Sequence, residues 1–338
     1  MSRQLDVDYN GLESSTAMID EFIGDLFNRD QGSIMYLQRL LGYGITGHTD
    51  SQIWCMFTGE GSNGKSLLAS FLESLLEEWV VTAPHEIFFR GDQRAREGSH
   101  STHLGTLRGA RICIKEEAKP KDKLNAEILK VLTGGSRITM RAAHASSFET
   151  FDPMCLPILL CNHKPEVDVT DAAMMRRIVV VPFSNIYTLP DDPKRPFNPN
   201  NPHHRLRDPE LKKKLLQEHA RKQLLVWLVK GAVAWYKNKD LSSQPPAMLA
   251  AFQEYNDEND KLQQFINMNC EMGNTFYINA GLFREEFCKT MYASILQKTL
   301  VTLMAEKRLK FGSPRINGKT EKVYHGIRLV GSENCLSR

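Results

Sequence analysis

The chain has 338 residues, of which 41% are hydrophobic and 25% charged, and its formal net charge at pH 7 is +3. This composition excludes bulk disorder, and the length leaves room for two domains or for one large core with an appendage. No apolar run approaches the length that crosses a bilayer, and the N-terminus lacks a signal-peptide core, so we expect an intracellular protein without membrane association. The seven cysteines include no C-x-x-C pair, which favours buried thiols over a zinc site or a disulfide framework.

The chain opens with two helical patterns, Met18 to Phe27 and Ile34 to Leu41, which we interpret as a helical lead-in over residues 1–48. Between Ile53 and Phe183, short β-rich runs alternate with helical runs. This alternation predicts an α/β fold in which a parallel sheet is flanked by helices, and we assign that core to residues 49–188.

A complete phosphate-binding motif, G-x-x-x-x-G-K-[ST], follows the first predicted strand and precedes a helical pattern. Its residues are Gly59, Glu60, Gly61, Ser62, Asn63, Gly64, Lys65 and Ser66. In such a loop the backbone N–H groups surround the phosphates, and the following helix adds positive potential at its N-terminus. We expect Lys65 to contact the β- and γ-phosphates and Ser66 to bind Mg²⁺. The motif predicts a nucleotide triphosphatase; the alternative is a glycine-rich turn that happens to contain Lys-Ser.

A triphosphatase also needs acidic side chains at a neighbouring strand end, and the sequence offers a pair. Ile112 to Ile114 form a short apolar run, and Lys115 leads into Glu116 and Glu117. One carboxylate can hold Mg²⁺, directly or through water, while the other activates the attacking water as general base. The alternative is a pair of solvated glutamates that open the charged run Glu116 to Lys123.

Polar residues accompany the next two apolar runs. The run Leu156 to Cys161 ends at Asn162, and a polar residue at the carboxyl end of such a strand faces the ligand crevice of an open α/β fold. We expect Asn162 to orient water against the γ-phosphate. Arg176 and Arg177 directly precede the run Ile178 to Phe183, and either can neutralise a transferring phosphoryl group, in its own chain or in a neighbour. The alternative is a pair of solvated arginines at the start of a strand.

The chain changes character at residue 189. Residues Leu189 to Pro209 contain six prolines and three asparagines, which predicts an irregular loop, and a helical pattern follows from Glu210 to about Tyr236. We interpret residues 189–258 as this proline-rich loop and a helical linker.

The last segment, residues 259–338, carries helical and hairpin signals. The spacing of apolar residues predicts an amphipathic helix from Ile295 to Lys307. A hairpin is indicated by Asn317-Gly318, and its second strand is predicted from Val323 to Leu329. Between Lys298 and Arg328 there are eight Lys or Arg against two Glu. A helix followed by a basic hairpin predicts a winged-helix-like domain that binds DNA or a partner.

In this order the motifs resemble superfamily 3 helicases of the AAA+ class, especially the primase-helicases of phages, plasmids and large DNA viruses, including the poxvirus type. The resemblance covers nearly the whole chain. The phrases that carry it are Gly59-Glu-Gly-Ser-Asn-Gly-Lys-Ser66, Leu107-Arg-Gly-Ala-Arg-Ile-Cys-Ile114 with Glu117, Leu132-Thr-Gly-Gly-Ser-Arg-Ile-Thr-Met-Arg141, Cys161-Asn-His-Lys-Pro165, Met175-Arg-Arg177 with Pro182-Phe183, Trp227-Leu-Val-Lys-Gly231, Tyr255-Asn-Asp-Glu-Asn-Asp260 and Tyr324-His-Gly-Ile-Arg-Leu329.

The resemblance implies a role for each matched residue. Glu117 falls on the family's usual single Glu and is the expected base, which leaves Glu116 as the expected Mg²⁺ ligand beside Ser66. Asn162 matches the sensor asparagine. Arg176 or Arg177 matches the arginine finger that these proteins supply across a ring interface.

The resemblance also implies a DNA-binding hairpin at Leu132 to Phe151, which in the family grips single-stranded DNA in the central channel. The tip departs from the pattern, because Ala145 stands where related tips often carry Lys. Arg141 and His144 are the remaining expected DNA contacts. The alternative is that His144 is a surface loop histidine.

The function implied by the resemblance is an ATP- and Mg²⁺-dependent replicative DNA helicase. It would act as a homo-oligomeric ring, expected to be a hexamer, that moves along single-stranded DNA toward the 5′ end and separates forked DNA. Family members usually carry a primase domain ahead of the helicase, and this chain has no room for one. We therefore expect a separate helicase or a shortened form that works with a primase or another replication protein.

Two other classes of protein stay open at this point. The first is a different P-loop enzyme, such as a small-molecule kinase, and DNA-stimulated ATPase activity would separate it from a helicase. The second is a winged-helix DNA-binding regulator with an inactive nucleotide site, which measurable ATP turnover would exclude.

Overall fold

The computed structural model describes residues 4–90, 104–140, 148–316 and 318–332. The chain divides into two compact units, residues 1–167 with 171–253 and residues 254–338 with 168–170. No helix in the described ranges is long and apolar enough to span a bilayer. The finer division at residues 48, 188 and 258 stays a prediction.

Helices and strands alternate along most of the chain. The helices are α1 Ala17–Leu26, α2 Gln31–Thr46, α3 Lys65–Leu76, α4 His85–Phe88, α5 Ala126–Thr133, α6 Ala172–Met175, α7 Leu211–Leu215, α8 Glu218–Asn238, α9 Pro246–Asn259, α10 Lys261–Asn269, α11 Ala280–Thr290 and α12 Gln297–Glu306. The strands are β1 Trp54–Thr58, β2 Val80–Thr82, β3 Ile112–Glu116, β4 Ile138–Met140, β5 Glu149–Phe151, β6 Leu156–Cys161, β7 Ile178–Pro182, β8 Ile186–Thr188, β9 His204–Leu206, β10 Cys270–Asn279, β11 Lys310–Gly312, β12 Arg315–Ile316, β13 Lys319–Thr320 and β14 Val323–Leu329.

A five-stranded parallel sheet forms the centre of the first unit. Its order is β2-β3-β6-β1-β7, and every neighbouring pair is parallel. Alternate residues of β1 and β3, among them Phe57 and Ile114, join the core that α1, α2, α3 and α8 cover. Strand residues point alternately to the two faces of a sheet, so near-continuous apolar strands are buried on both faces. The predicted α/β fold with a parallel sheet flanked by helices is therefore confirmed.

A pair of glycines allows α2 and α8 to touch backbone to backbone. A Cβ atom on Gly231 would lie 2.0 Å from the carbonyl oxygen of Gln38, and one on Gly42 would lie 2.2 Å from the backbone nitrogen of Ala232. Next to this crossing, Gln38 Nε2 donates a 3.1 Å hydrogen bond to the carbonyl of Trp227. The N-terminal helices thus pack into the same core as the central sheet.

Side-chain caps account for where several helices begin. The carboxylate of Asp30 accepts a 2.9 Å hydrogen bond from the N–H of Ser33 at the start of α2. The amide oxygen of Asn125 accepts one of 3.3 Å from Ile128 at the start of α5. Each satisfies one of the backbone donors that a helix N-terminus leaves unpaired. Among the described cysteines, Cys55, Cys113, Cys155 and Cys161 are buried as expected, whereas Cys270 and Cys288 are only partly buried, and all six are free thiols.

The second unit contains a three-stranded antiparallel sheet with the order β10-β14-β11. It packs against α10, α11 and α12 around Phe265, Phe283 and Tyr324. The predicted hairpin is present as β12 and β13, paired through Arg315 and Thr320. The prediction that Val323 to Leu329 is its second strand is wrong, because β14 pairs with β11 and β10 instead. The identification of this unit as a winged helix stays a prediction.

Two local predictions for the linker need correction. The proline-rich segment is not wholly irregular, since β9 lies inside it and pairs in parallel with β8, Ile186 opposite His204. Strand β9 contains no proline, so its backbone keeps the N–H groups that a ladder requires. The single helix predicted after Glu210 is two helices, α7 and α8, because Gln217 is extended, with φ −74° and ψ 152°.

Candidate nucleotide-binding site

The phosphate-loop motif lies at the carboxyl edge of the central sheet. Strand β1 ends at Thr58, which is in register with Cys161 of β6 on one side and Pro182 of β7 on the other. Helix α3 then begins at Lys65 and packs on the sheet through Leu68 and Phe71. The strand, loop and helix therefore have the order and the place that phosphate binding requires.

The start of α3 leaves backbone donors available to an anion. Gly64 precedes the helix with φ +87°, and a Cβ atom there would lie 2.4 Å from Leu26 Cδ2 of α1, so a side chain would meet both backbone strain and a clash. No side chain in the described residues caps this N-terminus. Uncapped N–H groups and the helix dipole together favour bound phosphate at such a position.

Lys65 lies inside the loop with its ammonium group surrounded by acceptors. The side chain is 5% exposed, and its Nζ donates to the Gly59 carbonyl at 2.8 Å, to Asn63 Oδ1 at 3.1 Å and to Asn162 Oδ1 at 3.0 Å. Burial lowers the pKa of Lys65 from 10.5 to about 8. The structure thus brings together the motif lysine and the predicted sensor asparagine.

Segments that follow β7 hold the loop in place. The N–H of Tyr187 donates a 2.7 Å hydrogen bond to the Ser62 carbonyl, and Asn63 Nδ2 donates one of 3.5 Å to the Phe183 carbonyl. Arg195 Nη2 donates a longer one, 3.4 Å, to the Glu60 carbonyl. The loop is therefore fixed by the chain between β7 and β9 as well as by its own glycines.

A pocket of about 440 Å³ opens beside the loop. Gly61 to Ser66 line it together with Asn162, whereas Gly59 and Glu60 do not. Its volume falls in the range of small-molecule and cofactor sites. The predicted phosphate contacts thus face a cavity that can hold a nucleotide.

The other pocket walls come from residues that sequence reasoning missed. They are Phe22 and Leu26 of α1, Tyr187 of β8, and the residues of the 207–212 segment other than Glu210, and Leu67 and Ser70 of α3 complete the lining. The apolar spacing of α1 indicated a core-facing helix and gave no sign that its end borders a ligand site. The position of the 207–212 segment depends on the pairing of β8 with β9, which sequence reasoning did not predict.

Glu116 and Glu117 lie at the carboxyl end of β3, at the same edge of the sheet. Strand β6 separates β3 from β1, which puts the glutamates about 10 Å from the loop strand at ordinary strand spacing. Both side chains are exposed and neither lines the pocket. Glu117 has φ +62°, and its N–H donates a 2.8 Å hydrogen bond to the Leu160 carbonyl, two residues before Asn162.

Glu116 faces the side of the sheet that α3 covers. Glu116 continues the alternation of Ile112 and Ile114, which pack on the α3 side. On α3, burial and the charge of Glu116 raise the pKa of Glu73, while Lys212 lowers it. Glu116 therefore lies on the same side of the sheet as α3, whose first turn contains Ser66.

The protein oxygens at this edge suit a metal ion that substrate phosphates also bind, rather than an ion that is held by protein side chains alone. The described residues contain no group of three or more His, Cys, Asp or Glu arranged to hold a metal ion. Mg²⁺ is commonly held by one or two protein oxygens together with substrate phosphates. Ser66 and Glu116 would supply those oxygens.

Arg176 and Arg177 lie at the opposite end of the sheet from the phosphate loop. The Arg177 carbonyl accepts a 2.9 Å hydrogen bond from Trp54 at the amino end of β1. The loop follows the other end of β1, roughly 16 Å away for a strand of this length. These arginines therefore do not reach the phosphate loop of their own chain.

The two arginines also differ in exposure. Arg177 is 7% exposed, and its guanidinium donates to Thr133 Oγ1 at 3.2 Å, to Gln52 Oε1 at 3.2 Å and to the Ala173 carbonyl. Arg176 is exposed and shares the same Gln52 oxygen at 3.0 Å. Arg177 thus stabilises its own unit, while Arg176 faces outward.

The hairpin predicted at Leu132 to Phe151 is present as the antiparallel pair β4 and β5. Thr139 opposes Thr150, and their hydroxyls lie 3.2 Å apart. The predicted DNA contacts Arg141 and His144 lie outside the described residues, so their roles stay predictions.

No model of a known protein family matches the chain. Proteins of large DNA viruses are nevertheless similar to it. One from Acanthamoeba polyphaga mimivirus, named "Putative helicase", is 32% identical over 154 residues, which cover 46% of this chain and 16% of that protein. One of the same name from Frog virus 3 (isolate Goorha) is 25% identical over 246 residues, which cover 70% of this chain and 24% of that protein.

A further viral relative extends the pattern. A protein of Invertebrate iridescent virus 6, also named as a helicase in that way, is 30% identical over 148 residues, 42% of this chain and 15% of that protein. The chain therefore spans roughly a sixth to a quarter of the length of these relatives. Its recognised relatives are proteins of large DNA viruses that carry a helicase name.

Solved structures support the fold. An apo A form of the NrS-1 C-terminal region has a TM-score of 0.52 at 14% identity, covering 95% of this chain and 77% of that chain. A second apo A form of that region gives 0.50 at 13% identity with the same coverage. At this identity the likeness shows that the α/β fold is shared.

Proposed function

We propose that this chain is the motor of an ATP- and Mg²⁺-dependent DNA helicase of superfamily 3. The observation that carries the proposal is the hydrogen bond between Lys65 and Asn162, which both line the pocket. It supports the proposal because it joins a lysine that can bind phosphate to a polar strand-end residue that can orient water. The helicase names of the viral relatives support the same function.

The proposed hydrolysis uses five side chains of this unit. Lys65 and the α3 N-terminus hold the phosphates, and Asn162 orients a water against the γ-phosphorus. The Glu117 carboxylate accepts a proton as the water oxygen bonds to that phosphorus and the bond to the bridging oxygen breaks, releasing ADP. Mg²⁺ bound by Ser66 and Glu116 would neutralise charge on the β- and γ-phosphate oxygens.

The position of Arg176 supports a ring. An exposed arginine at the far end of the sheet can reach a phosphate loop only in another copy of the chain. In the proposed homo-oligomer, expected to be a hexamer, each ATP site combines the loop of one subunit with Arg176 of the next. Such a finger stabilises charge on the transferring phosphoryl group.

The β4–β5 hairpin is the proposed contact to DNA. In the ring, hairpins from successive subunits would line a channel, with Arg141 and His144 contacting phosphates of one strand. Arg and Lys contacts to phosphate give sequence-independent, salt-sensitive binding, which suits movement along a track. The second unit would bind duplex DNA or a replication partner such as a primase, inside the host cell.

Strand separation on a forked DNA tests this function. The parent should release the displaced strand only with ATP and Mg²⁺, and Lys65→Ala should not. DNA-independent ATP turnover without strand separation would favour another P-loop enzyme. Binding of DNA without turnover would favour a regulator with an inactive nucleotide site.

A further inference from the structure

Two basic side chains of the 207–212 segment line the nucleotide pocket. Arg207 follows β9 and Lys212 belongs to α7, and both are exposed. Within the described residues, neither side chain makes a hydrogen bond or an ion pair. Lys65 is the other cation of the pocket lining, and a nucleoside triphosphate carries several negative charges. The pocket therefore has two available cations besides the motif lysine.

Neighbouring charges of the same segment are already paired with each other. Lys214 Nζ lies 2.7 Å from Asp208 Oδ2, so the one carboxylate in the pocket lining has a partner. Lys213 Nζ lies 3.8 Å from Glu210 Oε2, outside the lining. Lys213 and Lys214, which do not line the pocket, are thus each paired with a carboxylate.

Backbone hydrogen bonds hold this segment against the phosphate loop. The N–H of Arg207 donates to the Thr188 carbonyl at 2.9 Å, and the N–H of Tyr187 donates to the Ser62 carbonyl at 2.7 Å. Arg207 is thus joined to the loop through two adjacent residues of β8. Because the backbone at Arg207 is already held in place, only the side chain has to become ordered when it binds a ligand.

Lys212 lines the same pocket and lies near the charges around α3. Its charge lowers the pKa of Glu73, which burial and Glu116 raise. Glu73 is two turns along α3 from Ser66, and Ser66 and Ser70 both line the pocket. Arg207 and Lys212 therefore line the same pocket from two places in the chain, directly after β9 and in α7.

We propose that Arg207 and Lys212 bind the phosphates of the nucleotide held by the loop of their own chain. The inference rests on the proposed ATPase function and adds two cations in the same subunit to it. They complement Arg176, which acts from the neighbouring subunit. Removing both should weaken ATP binding more than ADP binding, because the additional phosphate adds negative charge.

The test is a fluorescence titration of the full chain with N-methylanthraniloyl-labelled ATP and ADP in the presence of Mg²⁺. The test variant combines Arg207→Gln with Lys212→Gln. The control combines Lys213→Gln with Lys237→Gln, which removes the same charge from exposed positions outside the pocket lining. Because both side chains are exposed, two charge pairs of the strength usual at a protein surface predict a loss of ATP affinity of about tenfold in the test variant.

The expected control result is an affinity within about twofold of the parent, since exposed charges at a distance are screened by salt. A variant that combines Arg207→Lys with Lys212→Gln should recover part of the lost ATP affinity, because Lys restores the positive charge at position 207. Equal affinities in test and control variants, while Lys65→Ala loses binding, would overturn this inference and leave the proposed function intact. Failure of the parent to bind either nucleotide would overturn both.

Discussion

The Nζ atom of Lys65 donates a 3.0 Å hydrogen bond to Oδ1 of Asn162, although the two residues are 97 positions apart in the chain. Parallel pairing of β1 with β6 brings them together, since Thr58 and Cys161 are in register at the end of both strands. The bond joins the residue that holds phosphate to the residue proposed to orient water. Mutations at this edge of the sheet can therefore test nucleotide binding and ATP hydrolysis separately.

We expect Lys65→Ala to abolish hydrolysis and weaken nucleotide binding, because it removes the buried charge that pairs with phosphate. Glu117→Gln should keep nucleotide affinity and lower turnover by about 10²–10⁴-fold, the usual contribution of a general base. Steady-state ATPase assays beside nucleotide titrations measure both. Loss of turnover in Glu116→Gln with near-parent turnover in Glu117→Gln would exchange the two assigned roles.

The lowered pKa of Lys65 predicts a pH-dependent contribution to stability. Its pKa is about 8 in the folded chain and 10.5 ordinarily, so between these values the unfolded state binds more protons. The contribution of Lys65 to the free energy of unfolding should therefore rise from pH 8 toward pH 10.5 and be absent below pH 8. Denaturant unfolding of the parent and of Lys65→Met across this range isolates it. A constant difference between them would contradict the shift.

Arg176 should act between subunits. Lys65→Ala and Arg176→Ala should each be nearly inactive, and mixing with subunit exchange should restore part of the ATPase at interfaces that join an intact loop to an intact Arg176. A missing finger costs about three to five orders of magnitude in comparable GTPases, so recovery would be clear. The model fails if verified exchange restores nothing, or if a stable monomer hydrolyses ATP at the full DNA-stimulated rate.

Arg177 serves as the structural comparison for Arg176. Arg177→Ala should lower stability, because Thr133 Oγ1 and the Ala173 carbonyl lose a buried partner, whereas Arg176→Ala should leave the thermal midpoint nearly unchanged. Thermal unfolding of both variants measures this difference, and equal midpoints would contradict it.

The hairpin should couple DNA to hydrolysis. His144→Ala should reduce DNA-stimulated ATPase and leave basal ATPase nearly intact, since the β4–β5 tip is proposed to contact only DNA. Single-strand affinity should fall steeply with salt and vary little with sequence. Equal loss of basal and stimulated rates would indicate a structural role for the loop.

The glycine crossing of α2 and α8 should be intolerant of a side chain. Gly231→Ala should destabilise the first unit by about 1–3 kcal/mol, because the new Cβ would meet the Gln38 carbonyl at 2.0 Å and the helices would have to separate. Lys237→Ala, exposed on the same helix, should change stability by less than about 0.5 kcal/mol. Denaturant unfolding compares the two variants, and similar small effects would show that the crossing can adjust.

Sequence by itself determined the local parts of this protein. The loop from Gly59 to Ser66, the strands that precede Glu117 and Asn162, and the helix that follows the loop are all present where they were predicted. Such features depend on neighbours within a few positions, because glycine conformation, strand alternation and helical periodicity are local properties of the chain.

Tertiary structure alone decided how those parts meet. Strand order put Asn162 beside Lys65 and Arg176 beyond the reach of its own loop, and the pairing of β8 with β9 brought Arg207 to the pocket. It also buried Arg177 and left its neighbour Arg176 exposed, a difference that identical residue types cannot encode. These relationships arise from contacts across 100 residues or so of chain, where many pairings satisfy the same local pattern and only packing of the whole core selects one.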